Sequence, residues 1–167
     1  MCTASGNVYL NGTLKHTFAT GTNAWNAVIG IGVFTVSSVQ YVYYVTQASS
    51  GTVKVHRSTT DLVTWNDLYK SFTVSTSLPL PTTAYLISSG DYLNIAIKNK
   101  IVRIYTVAEV VSDGLVIPEK ETISGFTQFQ NSFKLYSQLG SNGIQYVWDG
   151  SATAPDYRQV WLNQPIL

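Results

Sequence analysis

The chain has 167 residues, a formal net charge of +1, 11% charged residues and 13% aromatic residues. That length buries a core without disulfide or metal staples and suits a single domain, residues 1–167. Charge well below the ~25% usual for soluble domains, combined with many Tyr and Trp, excludes a disordered chain.

The ten Lys and Arg are scattered singly, so no nucleic-acid partner is expected. The one weak basic cluster, Lys98-Asn99-Lys100 with Arg103, reads as a hairpin tip. Cys2 stands alone, which leaves no intramolecular disulfide and no thiolate metal site. The segment Met-Cys-Thr-Ala-Ser-Gly has no basic region followed by an apolar stretch, so no secretory signal is expected. The apolar run from Ala27 to Val36 is interrupted by Gly30 and Gly32 and is too short to span a bilayer, so no membrane insertion is expected. Glycines inside a strand pattern mark a bulge or a close backbone approach.

In chain order the first element is a hairpin. Asn7–Leu10 and Thr13–His16 flank Asn11-Gly12, a pair that favours a type I′ turn because both residues accept positive φ. A second hairpin pairs Gln40–Thr46 with Thr52–His56 across a loop ending in Ser50-Gly51. The third joins Tyr92–Ile97 to Ile101–Tyr105 across Lys98–Lys100. The fourth joins Phe133–Tyr136 to Ile144–Trp148 across Gly140–Gly143. The turn centres recur roughly every 40–50 residues, the period of propeller blades built from four short strands. Polar turns leading to a further strand follow at Gly21–Trp25, Ser58–Trp65 and Asp149–Asp156, with Ser112-Asp113-Gly114 in the same role after the third hairpin. Ile101–Val111 alternates too strictly and is too rich in β-branched residues for a helix, so no helix is expected there. Pro79-Leu80-Pro81 reads as a loop between the second and third units. The expected fold is all-β: antiparallel hairpin repeats in a small β-propeller-like arrangement of about four blade-like units, with a β-sandwich or barrel as the alternative.

Ser58-Thr-Thr-Asp61-Leu62-Val-Thr-Trp65 resembles the Ser-x-x-Asp-Leu-x-x-Trp signature of five-bladed β-propeller glycoside hydrolases. It is similar, more loosely, to the Asp-box of sialidase-type propellers, departing from it in the position of the Asp and the missing Gly after it. In those families the turn is remote from the catalytic centre, so the resemblance implies a fold role for Ser58, Asp61 and Trp65. Asp61 is expected to accept hydrogen bonds from the following backbone N–H groups, with Trp65 covering the turn.

A glycosidase also needs two carboxyl groups facing each other across a sugar. The nine acids have simpler readings. Asp113 and Asp149 stand beside glycines in turns, Asp91 starts a strand, and Glu119 and Glu121 flank Lys120 in an exposed loop. Glu109, inside an apolar run, is the one candidate for partial burial; otherwise it points outward from a strand. His16 and His56 lack ligand spacing, so neither a metal nor a cofactor is expected. No catalytic residue is assigned.

What remains is contact. Tyr and Trp offer large rigid areas at low entropy cost. The ligand-contact candidates are Trp148, Asp149, Asp156, Tyr157 and Arg158, where a long polar loop is rimmed by aromatics. Tyr41, Tyr43 and Trp65 are expected to pack between sheets. The leading expectation is a non-catalytic structural or adhesion component of a virus particle, such as a bacteriophage tail, fibre or decoration protein. Its partners would be other virion or self subunits, with a cell-surface glycan possible and homo-oligomers expected. The alternatives are a propeller-type carbohydrate-binding lectin, extracellular or cytosolic, and a glycoside hydrolase-like fragment.

Overall fold

Alternating β-branched, aromatic and polar residues form fourteen strands and no helix among the described residues. A computed structural model of the chain describes residues 6–18, 28–47, 51–74, 83–151 and 154–161. Cys2, Trp25 and the Pro79–Pro81 loop lie outside them.

A hairpin of β1 (Asn7–Leu10) and β2 (Thr13–Thr17) comes first. Its Asn11 and Gly12 have φ of 49° and 78°, as the Asn-Gly pair demands. Three four-stranded sheets follow. They are β3 (Val28–Val36) to β6 (Trp65–Thr73) through β4 (Val39–Gln47) and β5 (Thr52–Thr59); β7 (Tyr85–Ser89) to β10 (Val110–Val116) through β8 (Tyr92–Ile97) and β9 (Lys100–Tyr105); and β11 (Thr122–Phe129) to β14 (Tyr157–Trp161) through β12 (Ser132–Leu139) and β13 (Asn142–Trp148). In each sheet consecutive strands pair antiparallel, so each is an up-and-down meander with the strand order of a propeller blade. The fold is all-β, its four-stranded sheets have the strand order of propeller blades, and among the described residues no sheet closes into a barrel. The register shift between Val28 and Gly30 is the bulge that the strand glycines predict.

Ile101–Val111 contains no helix, as expected: β9 ends at Tyr105 and Thr106–Glu109 form a turn, where Glu109 takes φ 56° at an exposed position. One local expectation is corrected. Ser112-Asp113-Gly114 is not a turn but lies in β10, where Asp113 Oδ1 accepts from Lys100 Nζ at 3.0 Å. The Lys98-Asn99 turn is the hairpin tip expected between β8 and β9. Both residues are buried, Ile123 N donates to Lys98 O at 2.7 Å, and Asn99 Nδ2 donates to Ile117 O.

The chain divides into two compact units, Met1–Ala84 and Tyr85–Leu167. In the first, Val8 and Phe18 from the hairpin region pack on Val42, Tyr44 and Leu62 of the β3–β6 sheet, with Trp65 against them. In the second, two sheets share one core. Ala96, Ile101 and Leu115 come from one sheet, and Leu135, Tyr146 and Trp148 from the other. Each of these side chains contributes ~1.5–3 kcal/mol by leaving water, Ala96 less. Bonds between the two sheets add register: Tyr85 Oη donates to Ser124 O at 2.7 Å, and Gln128 Nε2 to Ser89 Oγ at 3.2 Å. Sheet stacked on sheet is how this unit hides the apolar side of each meander.

Candidate functional site

The turn between β5 and β6 is closed by bonds to the Asp61 side chain. Asp61 Oδ1 accepts from Val63 N at 3.2 Å and from Thr59 Oγ1. Thr59 also accepts from Thr64 N through its hydroxyl and pairs backbone to backbone with Thr64 and Leu62. The Thr59 hydroxyl and then the Val63 N–H hold the Asp61 carboxyl below the usual carboxylate range. Trp65 Nε1 donates to Leu62 O at 3.0 Å, and its ring stacks on His16 at 4.1 Å between centroids. Ser58 does not sit in the turn. It is a β5 residue, 1% exposed, and the side chain bonded to Asp61 in the turn is that of Thr59.

Of the five predicted ligand contacts, the four whose side chains are described do not converge. Trp148 is 1% exposed and packs against Phe133 with ring centroids 5.2 Å apart, so it is a core residue and offers no open platform. The guanidinium of Arg103 lies 5.5 Å from its ring centroid, and a Cβ built on Gly114 would come within 2.9 Å of its Cη2. Asp149 is exposed but accepts from both Ser151 N and Ser151 Oγ at 2.7 Å, a local turn that lowers its pKa. Asp156 is exposed, and its N–H donates to Val147 O at 2.8 Å. Tyr157 pairs with Val147 in the sheet, and its side chain lies outside the described residues.

Arg158 instead faces inward to a buried carboxylate. Its Nη2 donates to Glu121 Oε1 at 3.0 Å and its Nε to Tyr146 Oη at 3.0 Å. Tyr146 Oη and Ser137 Oγ donate to Glu121 Oε2 at 2.6 and 2.7 Å. Glu121 is therefore no exposed loop residue; it is 1% exposed. Burial pushes its pKa up, but the bonds from Tyr146, Ser137 and Arg158, with the Arg158 charge, outweigh that and hold it low. Burial and the Glu121 carboxylate push the Tyr146 hydroxyl up. The available signal was alternation, since Glu121 and Ile123 are both buried two positions apart. An ionised carboxylate has no proton to deliver as an acid, and Glu121 already accepts three hydrogen bonds.

Two surface hollows lie elsewhere. One, about 190 Å3, is on the outward face of the β11–β14 sheet, among Ser124, Tyr136, Gln138, Gly143 and Gln145. The other, about 200 Å3, is beside the β5–β6 turn, among Tyr41, Arg57, Thr59, Trp65 and Asn66. There the Arg57 guanidinium lies over the rings of Tyr41 at 4.6 Å and Tyr69 at 4.2 Å. Among the described residues, no Asp or Glu lines either hollow. No protein-family model matches the chain, and no curated protein matches it.

Proposed function

We propose that the chain is a non-catalytic structural or adhesion component of a virus particle, of the kind found in bacteriophage tails, fibres or decoration layers, working as a homo-oligomer. The observation that supports this best is the terminal strand β3. Val28–Val36 is nine residues long, contains no charged residue, and exposes Ile31 and Val33 at 55% each. Proteins that stay monomeric blunt such edges with Lys, Pro or very short strands. β3 has none of these, and its exposed apolar positions suit burial against another subunit. Four of the nine acids have structural partners: Asp61 and Asp149 serve turns, Asp113 pairs with Lys100, and Glu121 is locked in a network. Size-exclusion chromatography with light scattering is expected to give an oligomer that Ile31→Lys with Val33→Lys dissociates while the β-sheet circular dichroism persists. A wild-type chain that is strictly monomeric at high concentration would sink this reading.

The second reading is a propeller-type lectin. The hollow beside Tyr136, Gln138 and Gln145 favours it over the glycoside hydrolase-like fragment, because that hollow joins an aromatic ring and amides without a carboxyl group.

A further inference from the structure

We propose that the outward face of the β11–β14 sheet holds a binding site for one neutral sugar ring, seated in the hollow between Tyr136, Gln138, Gly143 and Gln145. The inference deepens the contact reading and rests on it only in expecting a surface role.

The hollow is made by the sequence of facing residues. Tyr136 pairs with Gln145 and Gln138 with Gly143, so all four stand on one face, opposite the buried Leu135, Ser137, Ile144 and Tyr146. Gly143 leaves the gap. A Cβ placed there would meet nothing within 4 Å, and its φ is not in the left-handed region, so the strand itself does not require glycine. On the other side Tyr136 is packed over Gly125, where a Cβ would lie 3.4 Å from its Cδ2. The ring is thus supported by the β11 backbone while remaining 40% exposed. A ring held in place loses little entropy when a ligand stacks on it.

The chemistry of the wall selects the ligand class. Among the described residues no charged side chain lines the hollow, which disfavours phosphates and carboxylates, since those are held by Arg, Lys or convergent N–H groups. Lys134, on the same face, stands over the Phe129 ring at 5.1 Å. A wholly apolar ligand is disfavoured as well, because it would strip water from two primary amides without replacing their hydrogen bonds. Gln138 and Gln145 each present both donors and an acceptor, matching hydroxyl groups that also do both. A mostly carbon wall with a few polar groups is the usual form of a small-ligand site. At about 190 Å3 the hollow is smaller than the ~300–1,000 Å3 clefts that enclose drug-sized molecules. One pyranose, with its C–H face on Tyr136 and its hydroxyls toward the amides, satisfies every group there.

The test is an NMR titration of the full 15N-labelled chain with the methyl glycosides of glucose, galactose, mannose and N-acetylglucosamine. Saturable shifts are expected with at least one glycoside, confined to Ser124, Tyr136–Gln138 and Gly143–Gln145. Gly143→Val, which fills the gap with a strand-favouring side chain, is expected to abolish them. Tyr136→Ala and Gln145→Leu should each weaken binding about tenfold, the loss of one stacking or hydrogen-bonding contact. The proposal is overturned if no glycoside shifts these amides, if shifts map elsewhere, or if folded Gly143→Val binds like wild type. It also fails if the same amides shift on dilution without sugar, which would make the hollow a subunit contact. None of those results alters the light-scattering measurement that decides the assembly reading.

Discussion

Arg158 and Glu121 stand 37 residues apart in the chain, yet Arg158 Nη2 donates to Glu121 Oε1 at 3.0 Å. The contact ties β14 to the segment just before β11, the two ends of one four-stranded sheet, through Tyr146 on the strand between. Glu121 is nearly inaccessible and Arg158 is 42% exposed, so the two ends of the pair are not equivalent. Removing Glu121 leaves three donors without an acceptor, two of them buried. Glu121→Ala is expected to cost ~3 kcal/mol in urea unfolding, and Arg158→Ala less, because solvent screens its half of the pair. Equal losses would show that the buried carboxylate is not the centre of the network.

Acid should destabilise the protein in two steps. His56 is buried and its pKa is pushed down to about 4; burial is the main cause, opposed by the backbone and charge of Asp67. The unfolded chain binds a proton at the ordinary value of 6.5 and the folded chain does not, so stability falls as pH drops from about 6.5 to about 4. That difference corresponds to roughly 3 kcal/mol. Glu121, with a depressed pKa, contributes stability that is present above its ordinary value and is lost as pH falls through the lower folded one. Melting temperatures from pH 7.5 to 4.5 should slope down for wild type and flatten in that window for His56→Leu. An unchanged slope in the variant would remove His56 as the cause.

Asp61→Ala should lower the melting temperature, because Val63 N and the Thr59 hydroxyl lose their acceptor. Thr59→Val should do so too, since Thr59 and not Ser58 closes the turn. Trp65→Ala should cost more, ~2 kcal/mol, through its contacts with His16, Phe18 and Tyr44. An order in which Asp61→Ala is the most damaging would place the strength of this corner in the carboxylate.

Trp148→Ala is expected to destabilise by ~3–5 kcal/mol, as a large core aromatic does. Gly114→Val should cost ~1–3 kcal/mol by driving a side chain into Trp148 and Arg103. Sugar titrations of any Trp148 variant that still folds should be unaltered. Thermal and chemical unfolding of the two variants read both effects, and a neutral Gly114→Val would show that the Trp148 ring moves aside freely.

Turns were legible where the residue type itself demands a conformation. Asn11-Gly12 and Gly51 adopt positive φ, as expected of them. Other turns gave no such sign, because ordinary residues were pressed into the same region: Ser37 and Ser38 between β3 and β4, Glu109 before β10, and Gln130 between β11 and β12. That is why Ser112–Gly114 read as the turn that Thr106–Glu109 make instead.

Local patterning by itself determined that the chain is all-β, where its main hairpins bend and how the Asp61 turn is bonded, because each depends on φ preferences and neighbours a few residues away. Only the tertiary structure decided which polar residues are inside. Lys98 and Glu121 are buried and Trp148 is a core residue because one sheet stacks on another over them. A two-residue period says that side chains alternate between faces, but not which face another sheet will cover. The hollow at Gly143 has the same origin: it exists because residues on β11, β12 and β13 were brought side by side.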